Sequence, residues 1–301
     1  MQRVKAESTK NSLLHRMRKQ RLKSITVLPS LITILNGLCG FAAIVFASKA
    51  TASESGSLSQ FALAGYMILL AMIADMLDGR VARMSQSTSS FGGQLDSLCD
   101  IISFGVAPAF IMLKILEYRL ADLMPSIAIV DSFLQRFIWL SAAAYISCAA
   151  IRLARFNVEN EEDESSHMSF IGLPTPAAAG VVASLVIFQQ ETLPEIAEHS
   201  AKAYDICDYT IIYALPFIVF GLGVLMVSRI RYPHVLNQYM KGKKPLAYLM
   251  TCLFVLGLII WFRQVALVLG FCGFAMSAFL KRLSSGRNPK AEPIKADDDD
   301  I

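Results

Sequence analysis

Charged residues are scarce in this chain of 301 residues. Asp, Glu, Lys and Arg make up 17% of it, whereas soluble globular domains carry about 25%. Hydrophobic residues reach 54%, and the mean hydropathy is +0.50. This composition excludes an ordinary soluble domain and a largely disordered chain, because both need more charge. It indicates a polytopic membrane protein.

Cysteine and histidine are also few, and neither shows the spacing of a metal site or a disulfide framework. The six cysteines include no C-x-x-C pair, so they predict neither a zinc site nor a disulfide framework. The four histidines show no H-E-x-x-H spacing. Basic residues are not interleaved with aromatic ones, so the sequence predicts no nucleic-acid partner.

Long apolar stretches fill most of the chain. They predict an all-α, polytopic membrane helix bundle of about eight spans, because each is long enough for a spanning helix or half of a tight helical hairpin. The eight stretches are 25–48, 59–77, 92–116, 133–153, 171–190, 209–228, 246–262 and 264–280.

The distribution of positive charge predicts that both termini face the cytoplasm. The first 24 residues carry eight Lys or Arg and one Glu, and residues 229–244 carry five Lys or Arg and no acid. Residues 191–208, by contrast, carry five acids and one Lys. With an even number of spans, the segment 75–100 also falls on the cytoplasmic side.

That segment places four carboxylates at the ends of two apolar stretches, where an unpaired charge is costly. Asp75 and Asp78 are three residues apart, and Asp96 and Asp100 are four apart, so each pair shares one face of a helix. Four carboxylates on two facing helices predict a site for divalent metal, Mg²⁺ or Mn²⁺. Two such ions together could bind a diphosphate and acidify an attacking hydroxyl.

The spacing D-x-x-D-G-x-x-A-R-x8-G-x3-D-x3-D is complete between Asp75 and Asp100. It resembles the signature of the CDP-alcohol phosphotransferase family, membrane enzymes that transfer a phosphoryl-linked group from a CDP-activated donor to an alcohol. The resemblance implies a six-helix core, with the last two predicted spans outside it. It also implies a homodimer.

The resemblance assigns roles to individual residues. Asp75, Asp78 and Asp96 would bind metal, and Asp100 would be both a metal ligand and the base that takes the proton of the acceptor hydroxyl. The residues implied to contact CDP-diacylglycerol are Gly79, Arg83, Ser89, Thr33 and Asn36. For Thr33 and Asn36, which share one face of the first span, an interhelical hydrogen bond is the alternative.

Three further segments resemble the phosphatidylserine synthase branch of the family: LPSLITILNGLCG at 28–40, IRLARFN at 151–157 and GLPTPAAAG at 172–180. This branch implies CDP-diacylglycerol and L-serine as substrates, and phosphatidylserine and CMP as products. A serine carboxylate would suit the guanidinium fork of Arg152 or Arg155, and a serine ammonium could donate to Asn157. Alternatively, the two arginines only anchor the helix at the membrane interface.

The expected organisation has four parts. These are a basic cytoplasmic segment at 1–24, a CDP-alcohol phosphotransferase-like transmembrane domain at 25–230, a C-terminal helical hairpin at 231–282 and a disordered tail at 283–301. The active site of this integral, multi-pass protein is expected to face the cytoplasm, from the inner membrane if the source is bacterial. Lipid tails would stay in the bilayer.

Three alternatives stay open. The same chemistry could use glycerol 3-phosphate, inositol phosphate or choline as the acceptor. The membrane aspartates could instead belong to a divalent-cation transporter. Finally, Asp75 and Asp78 could form a structural salt-bridge network with Arg80 and Arg83, although this would leave the second aspartate pair without partners.

Overall fold

All regular structure in the described residues is helical. The structure is a computed structural model, and it describes residues 30–50, 59–85, 90–123, 128–162, 172–230 and 263–285. Within these ranges there is no β-strand, so the prediction of an all-α fold is confirmed.

Nine α-helices and two π-helical turns follow one another along these ranges. The α-helices are α1 Ser30–Lys49, α2 Gln60–Ser85, α3 Ser90–Asp100, α4 Ala107–Leu123, α5 Ala128–Glu162, α6 Thr175–Ile187, α7 Leu193–His199, α8 Ala201–Val227 and α9 Arg263–Ser285. The π-helical turn Ile101–Val106 joins α3 to α4, and the turn Phe188–Thr192 joins α6 to α7.

Five of the described helices are long and apolar enough to cross a membrane. They are Ser30–Lys49, Gln60–Val81, Phe91–Arg119, Phe133–Val158 and Ala201–Val227. The predicted span 171–190 corresponds to α6 and the polar turn after it, and this segment is not among the five. The predicted span 264–280 corresponds to the shorter apolar helix Arg263–Ser277. The predicted span 246–262 lies outside the described residues. The protein is a polytopic helix bundle, and the count of eight spans stays a prediction.

Helix α6 lies in the middle of the bundle and packs against α2, α8 and α9. Every residue from Ala178 to Ile187 is buried. Small side chains permit the close packing: a Cβ added to Gly180 would overlap the ring of Phe271 on α9. Since helices in a bilayer gain little from the hydrophobic effect, such close packing is a main source of their association.

The loop before α6 folds back onto the end of α8. Gly172 has a φ of 87°, a conformation that favours glycine. Its N–H donates to the carbonyl of Ile230 at 2.8 Å, and the N–H of Leu173 donates to the carbonyl of Leu225 at 3.1 Å. These two bonds fix the position of Thr175, the first residue of α6.

Helix α1 approaches the π-helical turn Ile101–Val106 closely. A Cβ added to Gly40 would overlap Ser103, so only glycine fits this contact. The Ser103 hydroxyl donates to the backbone carbonyl of Asn36 at 2.8 Å. This bond and the close approach fix α1 against the C-terminal end of α3.

Candidate metal centre

Three of the four motif carboxylates form a compact cluster. One oxygen from each of Asp75, Asp78 and Asp96 can be chosen so that all three lie within 4.8 Å of one another. The first two residues lie on α2 and the third on α3, so the cluster joins the two helices as their spacing predicts. Asp78 is 5% exposed, and the other two are partly buried.

The cluster suits a hard divalent cation. Asp78 Oδ2 and Asp96 Oδ1 are buried and have no hydrogen-bond partner among the described residues. A buried carboxylate oxygen without a partner is costly, because the charge has lost its hydration. Carboxylate oxygens are preferred ligands of Mg²⁺ and Mn²⁺, and a bound ion would satisfy both atoms.

Among the described side chains, no salt bridge accounts for these oxygens. Arg80 is exposed, and among the described side chains it forms no salt bridge with Asp75 or Asp78. The side chain of Arg83 lies outside the described residues.

Asp100 lies beside the cluster and is held by a third helix. Its Oδ1 accepts a hydrogen bond of 2.8 Å from Nδ2 of Asn36. Both residues are buried, with Asp100 7% and Asn36 0% exposed. The charges of Asp75, Asp78 and Asp96 all act on Asp100. It is the last residue of α3, directly before a π-helical turn, and such turns often occur at functional sites.

Helix α1 donates one hydrogen bond to each aspartate pair. Thr33 binds the side chain of Asp78, and Asn36, one helical turn later, binds Asp100. The structure thus contains the interhelical hydrogen bonds that were the alternative for these two residues. Their contact with CDP-diacylglycerol stays a prediction.

The residues predicted to bind serine divide into two groups. The charge of Arg152 interacts with that of Asp100. Its Nη1 donates to Thr175 Oγ1 at 3.3 Å, and its Nε is buried without a partner. Asn157 instead binds Ser97: its Nδ2 donates to the Ser97 hydroxyl at 2.8 Å, and that hydroxyl lies 3.2 Å from its Oδ1.

The remaining predicted residues lie near the same end of the bundle or outside the described residues. Gly79 is partly buried on α2 beside Asp78, and Arg155 is partly buried on α5. Arg83 lies near the end of α2, and Ser89 lies outside the described residues.

Sequence reasoning missed two residues, Ser97 and Thr175. The signal for Thr175 was present, because it is a polar residue that begins an apolar helix, and it is 1% exposed in the structure. Ser97 had no comparable signal. It follows a motif aspartate, and its partner Asn157 is far away in the sequence.

A comparison with protein families matches residues 26–220 to the family model described as CDP-alcohol phosphatidyltransferase. The matched range includes all four motif aspartates, Asn36 and Arg152. The chain belongs to this family. Since CDP-alcohol phosphatidyltransferases are membrane enzymes, this membership identifies the chain as an enzyme and removes the transporter alternative.

Several curated relatives cover most of the chain. A CDP-diacylglycerol–serine O-phosphatidyltransferase of Helicobacter pylori is 34% identical over 213 residues, which are 71% of this chain and 74% of the relative. One of the same name from Methanocaldococcus jannaschii is 33% identical over 217 residues, 72% of this chain and 79% of the relative. An archaetidylserine synthase of Methanothermobacter thermautotrophicus is 31% identical over 222 residues, 73% of this chain and 75% of the relative.

Proposed function

We propose that the protein transfers the phosphatidyl group of CDP-diacylglycerol to L-serine and releases CMP. The observation that carries the chemistry is the cluster of Asp75, Asp78 and Asp96, with its two buried, unpartnered oxygens. The choice of serine is supported by the names of the relatives, which specify serine in bacteria and archaea. It is also supported by the electrostatic interaction of Arg152 with Asp100.

The three clustered aspartates would hold the divalent metal, with Asp100 as a further ligand. Bound Mg²⁺ or Mn²⁺, as a pair in our proposal, would neutralise the diphosphate and make the acceptor hydroxyl more acidic. The contribution of α1 is orientation: the donors Thr33 and Asn36 hold one carboxylate of each pair in a fixed position.

Asp100 would receive the proton in the transfer step. The serine hydroxyl oxygen forms a bond to the phosphorus that carries diacylglycerol, while the bond from that phosphorus to the bridging oxygen breaks. CMP leaves with the electron pair of that bond, and the hydroxyl proton passes to Asp100. Since Oδ1 of Asp100 already accepts one hydrogen bond from Asn36, we propose Oδ2 as the atom that accepts the proton.

The nucleotide and the acceptor would both bind next to these carboxylates. Gly79, Arg83 and Ser89 are proposed contacts of the CDP moiety, together with Thr33 and Asn36, as the family resemblance implies. Arg152 would hold the serine carboxylate, and Arg155 would lie at the edge of the same site. Asn157 is better suited to holding α3 in place, because its amide is bound to Ser97.

The deciding experiment measures CMP release in lipid nanodiscs. Purified protein is supplied with CDP-diacylglycerol, Mg²⁺ or Mn²⁺, and one acceptor at a time: L-serine, glycerol 3-phosphate, inositol phosphate or choline. We expect release with L-serine, and none when metal is chelated. Release with another acceptor but not with L-serine would keep the family chemistry and overturn the choice of substrate.

The membrane arrangement is part of the same proposal. We propose eight spans, with both termini and the aspartate site on the cytoplasmic side. The domain limits are those predicted from the sequence, and the protein is proposed to form a homodimer. The separation of basic and acidic segments supports the orientation. The homodimer rests on the family resemblance, and the mass of the protein in nanodiscs would test it.

A further inference from the structure

The side chain of Asn36 carries an oxygen that no group in the described part of the chain satisfies. The residue is 0% exposed, and its Nδ2 donates to Asp100 Oδ1 at 2.8 Å. Its Oδ1 is buried and has no hydrogen-bond partner. Its backbone carbonyl already accepts a hydrogen bond from the Ser103 hydroxyl.

The orientation of the amide follows from its neighbour. Exchanging the nitrogen and oxygen of Asn36 would direct an amide oxygen at the carboxylate of Asp100, and two acceptors repel each other. The nitrogen must therefore be directed at Asp100 and the oxygen away from it. A buried amide oxygen is costly to leave unpaired, so this site calls for a donor.

A second unsatisfied group, on Arg152, indicates what the donor is. Arg152 Nε is a buried donor without a partner, on a guanidinium whose charge interacts with Asp100. Apart from the carboxylate oxygens of Asp78 and Asp96, which we assign to the metal, the unpaired groups that interact with Asp100 are thus one donor and one acceptor. A zwitterionic amino acid with a side-chain hydroxyl offers the matching set: a carboxylate for Arg152, a hydroxyl for Asp100 and an ammonium, which can only donate.

From this complementarity we infer that Asn36 Oδ1 binds the ammonium group of the acceptor amino acid. The inference rests on the proposed function, because it takes serine as the acceptor. In place of a contact with the CDP moiety, it assigns to Asn36 the role that the sequence predicts for Asn157, whose amide is instead bound to Ser97. One residue of α1 would then both orient Asp100 and select the substrate whose hydroxyl Asp100 deprotonates.

The experiment compares two acceptors that differ only in the ammonium group, L-serine and 3-hydroxypropionate. For the wild type and for Asn36→Ala, kcat/KM is measured for each at saturating CDP-diacylglycerol and Mn²⁺. If 3-hydroxypropionate is not turned over, its inhibition constant against L-serine takes its place, compared with the KM of L-serine. We expect Asn36→Ala to reduce the preference for L-serine by about ten- to a hundredfold, the size of one charge-assisted hydrogen bond.

Thr33→Val is the matched control, since Thr33 also binds a motif aspartate from α1. It should slow both acceptors equally and leave their ratio unchanged. If Asn36→Ala is not obtained folded, Asn36→Ser replaces it, with the same expectation, because its shorter side chain withdraws the oxygen. Stabilisation of each variant by Mn²⁺ in a melting experiment reports whether the carboxylates are still in place.

An equal loss for both acceptors in the Asn36 variant would overturn the inference, since Asn36 would then only position Asp100. That outcome differs from a failure of the proposed function. In the latter case the wild type itself would release no CMP with L-serine.

Discussion

Asp78 and Asp96 illustrate at the scale of a residue why the carboxylate cluster needs a ligand. Each has a buried oxygen without a partner, and these carboxylates lie close enough for their charges to interact. Repulsion between like charges and lost hydration both disfavour the folded state until a cation binds. Metal binding should therefore affect stability as well as activity.

The first prediction concerns Asp96→Asn, which keeps the size of the side chain and removes its charge. We expect CMP release to be abolished, because a metal ligand is lost. We also expect the variant to melt at or above the temperature of the metal-free wild type, since one repelling charge is gone. Mn²⁺ should raise the melting temperature of the wild type but not of the variant. Undiminished CMP release by Asp96→Asn would contradict the metal-site assignment.

The second prediction concerns Arg152→Lys, which keeps the charge and loses the two-pronged guanidinium. The KM for L-serine should rise by about ten- to a hundredfold, the equivalent of one charge-assisted hydrogen bond. The KM for CDP-diacylglycerol should stay nearly constant. Arg155→Lys is the matched control on the same helix, and we expect a smaller effect from it. If both variants keep the wild-type KM for L-serine, the arginines are interface anchors.

At the scale of an element, the contact between α1 and the π-helical turn Ile101–Val106 determines the geometry of the site. The turn begins directly after Asp100, and its Phe104 carbonyl accepts a hydrogen bond of 3.0 Å from the buried Tyr145 hydroxyl. This bond compensates part of the backbone pairing that a π-helical turn disturbs. Helix α5 thereby holds the turn through Tyr145, which is itself 0% exposed.

The third prediction tests this contact with Gly40→Ala. The new Cβ would overlap Ser103, so α1 must move away from the turn and carry Asn36 away from Asp100. Overpacking of this kind costs about 1–3 kcal/mol, and we expect lower thermal stability together with a fall in kcat. The measurements are the melting temperature in detergent and the rate of CMP release.

Gly221→Ala on α8 is the control for this substitution, because a Cβ there meets nothing within 4 Å. Alanine is also the better helix former, so this variant should be as stable and as active as the wild type. Equal behaviour of the two alanine variants would mean that the contact between α1 and the turn does not constrain the site.

The sequence predicts much of these elements and little of their register. Apolar length and the aspartate spacing suffice for α2, α3 and their facing carboxylates, because both are local patterns. The two π-helical turns escape prediction, since Ile101–Val106 reads as ordinary apolar helix. The pairing of Asn36 with Asp100 depends on how deeply α1 lies against α3, and that depth is set by the contact of Gly40 with Ser103.

At the scale of the whole molecule, a second polar region lies away from the aspartates. Glu191 Oε2 accepts from the Tyr66 hydroxyl at 2.8 Å and from Gln264 at 2.7 Å. Asp208 accepts from Gln189 and forms a salt bridge with Arg119. Tyr66 precedes Asp78 by twelve residues on α2, or roughly 18 Å of helix. The bundle therefore has polar networks toward both of its ends.

The fourth prediction assigns these two ends to the two sides of the membrane. We expect an alkaline phosphatase reporter fused after Ser200 to be active in a bacterial host, because residues 191–208 are acidic and should lie outside the cytoplasm. A fusion after Arg229 should be inactive, because the basic segment that begins there should stay inside. A cytoplasmic reporter such as green fluorescent protein should give the reverse pattern. Agreement of the two reporters on the opposite arrangement would invert the proposed topology.

The order of the helices along the chain has a consequence for biosynthesis. Thr33, Asn36 and all four motif aspartates lie on the first three described helices, α1, α2 and α3, whereas Arg152 follows Asp100 by about fifty residues. At a synthesis rate of about 5–20 residues per second, Arg152 leaves the ribosome roughly 3–10 s after Asp100. A nascent chain can thus assemble its carboxylate cluster, and capture metal, before Arg152, the proposed partner of the acceptor carboxylate, has been synthesised.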